Sequence, residues 1–423
     1  MKFFVRSIAA GGLLATLAIA QPSRRYTVTD LGPSDSPFAQ ATDISYNSII
    51  SGFFTAGDGA QHAALWYQGR VIDISKPGLL GPNSLAFSIN PSGQASYLGE
   101  STAKDPNNEN FCAYGTGLKC LPFFWQSGYL TPLPLLGGNN GTIDNINARG
   151  EVLGIAETAT RDPACTTGVT VAGTGPQVLD FEAVVWGPKQ GEFRMLRPLP
   201  GDTVGVALWI NDAGEAVGAT GTCANTVLPP LAYGPHAVLW GSDGTPHDLG
   251  NLGGGFVNAG LSINNQGQVV GGSQVTDTST PSNGVHAFLW TRQTGKMQDL
   301  GTLPGDVASG ATSINDPGDV VGVSFDPDGN PRAFLWRNGT MTDLNTLVPD
   351  DAPLFLLFAT AVNSRGEIVG FGATQGGDVH GFLLTPANGN SQNESAEATT
   401  REVKPPVTSE KVRVLLRRRF GIR

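Results

Sequence analysis

Two residue types recur where they invite chemistry. His62, His236, His286 and His380 each open a short segment, His-Ala-Ala-Leu, His-Ala-Val-Leu, His-Ala-Phe-Leu and His-Gly-Phe-Leu. Imidazole is both a common metal ligand and a general base near neutral pH. Asp35, Asp202, Asp306 and Asp350 with Asp351 form the second set. They lie in the connections between repeated units. A ring of such carboxylates around a channel mouth would take a cation or a basic ligand. A pair of them about 5–10 Å apart would suit glycoside hydrolysis. Asp also favours turns such as Pro-Gly-Asp, which accounts for part of this pattern without any site.

The histidines occupy one place in different copies of the repeat, so a rotational arrangement holds them apart. Glu182 and Arg332 stand at the same place in two further copies. No shared metal role survives an arginine, and a structural hydrogen bond is expected. Trp209 precedes Ile210 where other copies put Asp43, Ser88, Asn145, Ser262, Ser313 or Ala361. Near an axis it would stack on a sugar ring or plug a channel. Asp326-Pro-Asp328-Gly-Asn330 opens like a calcium loop. Its sixth place is Pro331 rather than Gly and its twelfth is Arg337 rather than Glu, so a β-turn is expected. Gly-x-Ser-x-Gly, a phosphate loop and His-Glu-x-x-His are all missing from the sequence. No catalytic residue, metal or cofactor is assigned from sequence.

The elements that position these residues come from an internal repeat. Ile314-Asn-Asp-Pro-Gly-Asp-Val-Val-Gly322 matches segments beginning at Ile263, Ile210, Ile146 and Val362, with weaker copies at Ile44 and Ile89. The seven copies stand 45 to 64 residues apart. Each is followed by an Ala-Phe-Leu-Trp-like segment that holds six of the seven tryptophans, and then, in most copies, by Asp-Leu-Gly. A unit reads as four short strands, the first two joined by an Asn-x-x-Gly hairpin. Four strands per ~50 residues predict a propeller blade. The last unit ends at Leu384 without its Asp-Leu-Gly strand, while Tyr26-Thr-Val-Thr-Asp-Leu-Gly32 stands alone before the first. The expected fold is all-β, a seven-bladed propeller over residues 21–387, closed by the N-terminal strand 26–32. The tryptophans are expected between blades.

These motifs resemble the HAF family of extracellular repeats, over about residues 26–386. The resemblance implies export and repeat architecture, not a reaction. Blade 2 departs from the pattern by lacking His-Ala, and blade 7 by lacking the Trp.

Gly is 57 of 423 residues, about twice the usual share, and charged residues are only 15%. That excludes coiled coil and helical solenoid. Residues 1–20 carry two positive charges and 388–423 carry eight Lys/Arg against four Glu, so the body is −10 − 2 − 4 = −16. A body this acidic argues against a nucleic-acid partner. A basic start, the apolar run Ile8–Ala20 and Ala18-Ile19-Ala20 predict a cleaved signal peptide over 1–20, hence secretion. No membrane span is expected. Residues 388–423 read as a disordered basic tail.

Four cysteines in an exported chain suggest two disulfides. Cys112 and Cys120 are close in sequence. Cys165 and Cys223 fall in equivalent inserts of adjacent blades. All four lie in long second-to-third-strand loops, read as 101–121, 155–181 and 219–235. Asn140, Asn338 and Asn393 head glycosylation sequons. The reading favoured is a secreted, monomeric, non-catalytic module that binds an extracellular glycan or protein on the loop-rich face. A carbohydrate-active hydrolase or lyase and a structural wall protein are the alternatives.

Overall fold

The computed structural model describes residues 26–33, 36–76, 78–165, 177–226, 233–276 and 284–387. The signal segment, the basic tail, Asp35 and Asn393 lie outside them. The described chain forms seven four-stranded antiparallel sheets, six in simple sequential order and one in which the N-terminal strand pairs with the last strand. Blade 1 is Ala39–Ile44, Ile50–Thr55, Gln61–Tyr67 and Arg70–Asp73; blade 2 is Ser84–Ile89, Gln94–Lys104, Leu118–Gln126 and Tyr129–Pro132. Blade 3 is Gly137–Ile146, Val152–Arg161, Leu179–Trp186 and Phe193–Leu196; blade 4 is Val204–Ile210, Ala216–Gly221, His236–Trp240 and Pro246–Asp248. Blade 5 is Asn258–Ile263, Val269–Gln274, Val285–Trp290 and Met297–Gly301; blade 6 is Ala308–Ile314, Val320–Phe325, Pro331–Arg337 and Thr340–Asp343. Blade 7 is Leu354–Val362, Ile368–Thr374 and Val379–Pro386, and Tyr26–Asp30 adds its fourth strand. The seven-bladed propeller and its N-terminal closure are as the repeat implies.

The repeated Asn explains why the blades stay in register. In blade 5, Asn264 Oδ1 accepts the backbone N–H groups of Gln266 and Gln268. Its Nδ2 donates to Gln268 Oε1 at 2.7 Å and to the carbonyl of Asn315, in blade 6, at 3.1 Å. Both lone-pair sites and both hydrogens are used. The same inter-blade bond runs from Asn90 to Asn147, Asn147 to Asn211, Asn211 to Asn264, Asn315 to Asn363, and Asn363 to Ser45. Blade 1 has Ser45 at this place, too short to reach. Asn47, two residues on, donates instead to the Pro91 carbonyl of blade 2 at 2.9 Å. The belt is therefore closed.

The first strand of every blade carries a β-bulge. The extra residues are Thr42, Phe87, Asp144, Leu208, Leu261, Thr312 and Thr360. Three of them clasp the next blade, where Thr312, Thr360 and Thr42 hydroxyls donate to the carbonyls of Ala359, Ala41 and Ala86. The second-strand glycine accommodates the bulge, since a Cβ on Gly218 or Gly271 would overlap the first-strand carbonyl of Val206 or Ala259. The repeated tryptophans pack at the seams. Trp66, Trp186 and Trp240 are almost fully buried, and their indole N–H groups donate to the carbonyls of Leu31, Pro134 and Arg197, just after the preceding blade's last strand. One contiguous apolar cluster passes through six blades, from Leu357 of blade 7 through Phe53, Leu98, Ile143 and Leu208 to Ala259 of blade 5.

The long inserts are shorter as loops than their sequence suggests. Strand two of blade 2 continues to Lys104, strand two of blade 3 to Arg161, and strand three of blade 2 begins at Leu118. Paired backbone satisfies its own hydrogen bonds, so extending a hairpin is cheaper than looping out the same residues.

Candidate binding face

The second-to-third-strand connections and the blade-to-blade connections open on one face of the ring. The inserts of blades 2, 3 and 4 are joined there into one unit. In the blade 2 insert, Asp105 Oδ1 accepts the N–H groups of Asn107 and Glu109, and Cys112 is bonded to Cys120. The buried Glu109 carboxylate then reaches blade 3. Its Oε1 accepts the N–H groups of Val178 at 2.6 Å and Leu179 at 3.0 Å, and Gln177 Nε2 at 3.2 Å. Blade 3 is in turn tied to blade 4 by the disulfide Cys165–Cys223. Both pairings match the sequence reading.

A second buried carboxyl lies beside the first. Glu157 Oε2 accepts from Asn139 N, Asn140 N and Asn140 Nδ2 at 2.9–3.1 Å. Its Oε1 accepts from the same Gln177 amide at 2.9 Å. Burial, and then the charge of Glu109, push the Glu157 carboxyl up to about 8. Nothing in the sequence pointed to this pair, because both residues lie in segments that no other blade repeats.

Asn140 is part of this network. It is fully buried, and its Nδ2 donates to Asp105 and Glu157. The folded chain does not offer this sequon to a glycosylating enzyme. Asn338, in an identical Asn-Gly-Thr triplet, sits exposed on the two-residue hairpin between the last strands of blade 6.

Of the aspartates expected around the channel mouth, Asp202 and Asp306 are engaged by side chains of their own blades. Asp202 accepts from the Thr220 hydroxyl at 2.6 Å and pairs with His236 Nδ1 at 2.8 Å, all within reach of blade 4. The Asp306 side chain is 1% exposed and is held by Arg332 at 2.6 Å in blade 6. Asp350 is exposed in the turn between blades 6 and 7. Trp209 is half-buried and packs against the apolar cluster shared by blades 4 and 5, which includes Val217, Val269 and Trp290.

The repeated histidines take hydrogen-bonded roles. His62, His286 and His380 pair through Nδ1 with Asp73, Asp299 and Asp30, each on the fourth strand of the same blade. Arg332 bridges Asp306 and Asp343. Blade 3 breaks the rule. Glu182 occupies the histidine place, and Met195 sits opposite Val184 where blade 5 sets Asp299 opposite Phe288. Burial, and then the charge of Asp180, push Glu182 up to about 7, and its Oε2 has no hydrogen-bond partner among the described residues. Asp180 is two residues away on the same strand, hence on the same side of the sheet.

Asp326 makes a turn between strands two and three of blade 6, accepting from the N–H groups of Asp328 and Asn330. Among the described residues no group of three or more His, Cys, Asp or Glu is placed to hold a metal ion. No helix among them is long and apolar enough to cross a membrane. Leu79, Phe256 and Val307, on blade-to-blade connections, are 71%, 58% and 39% exposed, so the loop-bearing face is partly apolar.

No family model matches the chain, and no curated protein matches it. Among solved structures it is similar to an oligogalacturonate lyase from Vibrio parahaemolyticus, at 10% identity and TM-score 0.48, covering 84% of this chain and 93% of that one. It is also similar to the β-propeller domain of the Trilobed protease from Pyrococcus furiosus, at 9% identity and TM-score 0.48, covering 86% and 94%.

Proposed function

We propose that the chain is an exported, monomeric binding module of the HAF type, with no catalytic role, that presents the joined inserts of blades 2–4 to an extracellular glycan or protein. One observation carries this reading. Three loops from three blades are locked together by Cys112–Cys120, Glu109 and Cys165–Cys223. Locking loops in advance lowers the entropy a surface loses when a ligand docks. Leu79 and Phe256 supply exposed apolar contacts on the same face.

The test is a glycan and protein array probed with the body of the chain. Binding to one ligand class is expected, lost in Phe256→Glu and kept in Tyr129→Glu, which alters the opposite face. An array with no ligand would favour a structural wall protein. Glu182 supports the hydrolase or lyase alternative better than the channel-mouth aspartates do, because a carboxyl held near neutral pH suits a general acid. Turnover of a polysaccharide that disappears in Glu182→Gln would replace the binding reading.

A further inference from the structure

We propose that Glu109 and Glu157, which share the Gln177 amide, form a proton-dependent latch that holds the blade 2 insert against blade 3 and releases it as pH rises. This deepens the binding reading, since it would regulate the same face.

The geometry alone calls for a proton. Gln177 Nε2 has two hydrogens but three acceptors within 3.2 Å, namely Leu179 O, Glu157 Oε1 and Glu109 Oε1. Glu109 Oε1 is well supplied by two backbone N–H groups. Glu157 Oε2 has three donors, whereas Oε1 has the shared amide alone. A hydrogen on Glu157 Oε1 removes the shortage and one of two buried negative charges. Gln177 Oε1, buried and without a partner among the described residues, is a neighbouring acceptor for it.

Among the described residues no Lys or Arg is paired directly with Glu109 or Glu157, and Arg161 reaches Glu109 only through the Asn107 side chain. Asp105 shares the Asn140 amide with Glu157 and adds negative charge. Arg161 donates to the Asn107 side-chain Oδ1 and Lys104 to the Thr116 backbone carbonyl. Glu100 is tied to Asn83 and Thr116. On the two strands beside that of Glu157, the titratable groups are Asp144, Asp180 and Glu182, all acids, and Asp162 stands next to Asp180.

The sign follows from linkage. The folded state holds the Glu157 proton up to about 8, against an ordinary value of 4.5. The latch is therefore at full strength below the ordinary value, weakens as pH rises through that window, and is weakest above the folded value. Opening frees the blade 2 insert within the limits of its Cys112–Cys120 bond.

The test is hydrogen exchange of the intact, disulfide-bonded protein without ligand, so that it stands whether or not a ligand is ever found. The amides of Val178, Leu179 and Asn140 are followed at about pH 5.5 and about pH 8.5, with intrinsic exchange corrected. Protection should fall by about tenfold or more at the higher pH in the wild type. In Glu157→Gln, which carries no titrating proton, protection should be the same at both. Should that variant fail to fold, Glu109→Gln removes one of the two causes that raise Glu157, so the loss of protection should be smaller and should level off at a lower pH. Wild-type protection that does not change with pH, or a change that persists in Glu157→Gln, would overturn the latch.

Discussion

Asn264 Nδ2 donates to the Asn315 carbonyl across the seam between blades 5 and 6, at 3.1 Å. Its Oδ1 closes its own hairpin at the same time. No other side chain of that length carries two donors and two acceptor sites. Asn264→Asp removes both donors and sets a carboxylate against a carbonyl. We expect a loss of about 2–4 kcal/mol in unfolding free energy, read by urea denaturation. Asn338→Asp, on an exposed hairpin, should change it by less than about 0.5 kcal/mol.

The closing blade depends on His380 and Asp30. That hydrogen bond raises the His380 imidazole above its ordinary 6.5. The charged pair therefore gives its full stabilisation below the ordinary value and loses it as pH rises through the folded one. The stability difference between wild type and His380→Gln should be largest at acid pH and narrow as pH rises. Gly32 lies against the same ring, and a Cβ there would overlap it. Gly32→Ala should cost about 1–3 kcal/mol, measured by thermal melting.

Arg332 neutralises Asp306 and Asp343, whose side chains are 1% and 9% exposed. Arg332→Met leaves buried carboxylates unpaired, and a loss of about 3–5 kcal/mol is expected. Adding Asp306→Leu should recover part of it. A double variant as weak as the sum of both singles would show that the pair is not coupled.

Cys165–Cys223 closes a separation of 58 residues. The loop-closure model assigns such a bond about 4 kcal/mol. The Cys165→Ala/Cys223→Ala double variant should lose an amount of that order, while Cys112→Ala/Cys120→Ala, across 8 residues, should lose less.

Expressed through a glycosylating secretory host, the protein should carry sugar at Asn338 and not at Asn140. Asn338→Gln should remove glycan mass. Asn140→Gln should leave the glycan mass unchanged.

These contrasts show what the sequence displays and what it hides. Seven copies of one repeat, five of them reading Ile-Asn-x-x-Gly, one Val-Asn-x-x-Gly and one the degenerate Ile44-Ser45, expose blade number, strand order and closure, because repetition separates a structural requirement from chance. The hairpin half of each Asn is legible, since its partners lie within four residues. The seam half is not, since the acceptor lies 48 to 64 residues away along most of the belt. Asp202 and Asp306 look like a ring from their positions alone. Their partners His236 and Arg332 could have been found, because His or Arg and Asp recur together in the repeat. Glu109 and Glu157 had no such signal. The triplet Asn-Gly-Thr reads the same at 140 and 338, and only burial separates the two.

The strand Tyr26–Asp30 is synthesised before all seven blades and completes the last of them. Its partner residue His380 is separated from Asp30 by 350 positions. A chain emerging from the ribosome must therefore hold this segment in reserve while six blades are laid down as an open arc. Any upstream leader must leave it free to return. Truncation anywhere before the last strand then leaves two unpaired sheet edges facing one another, rather than a smaller finished ring.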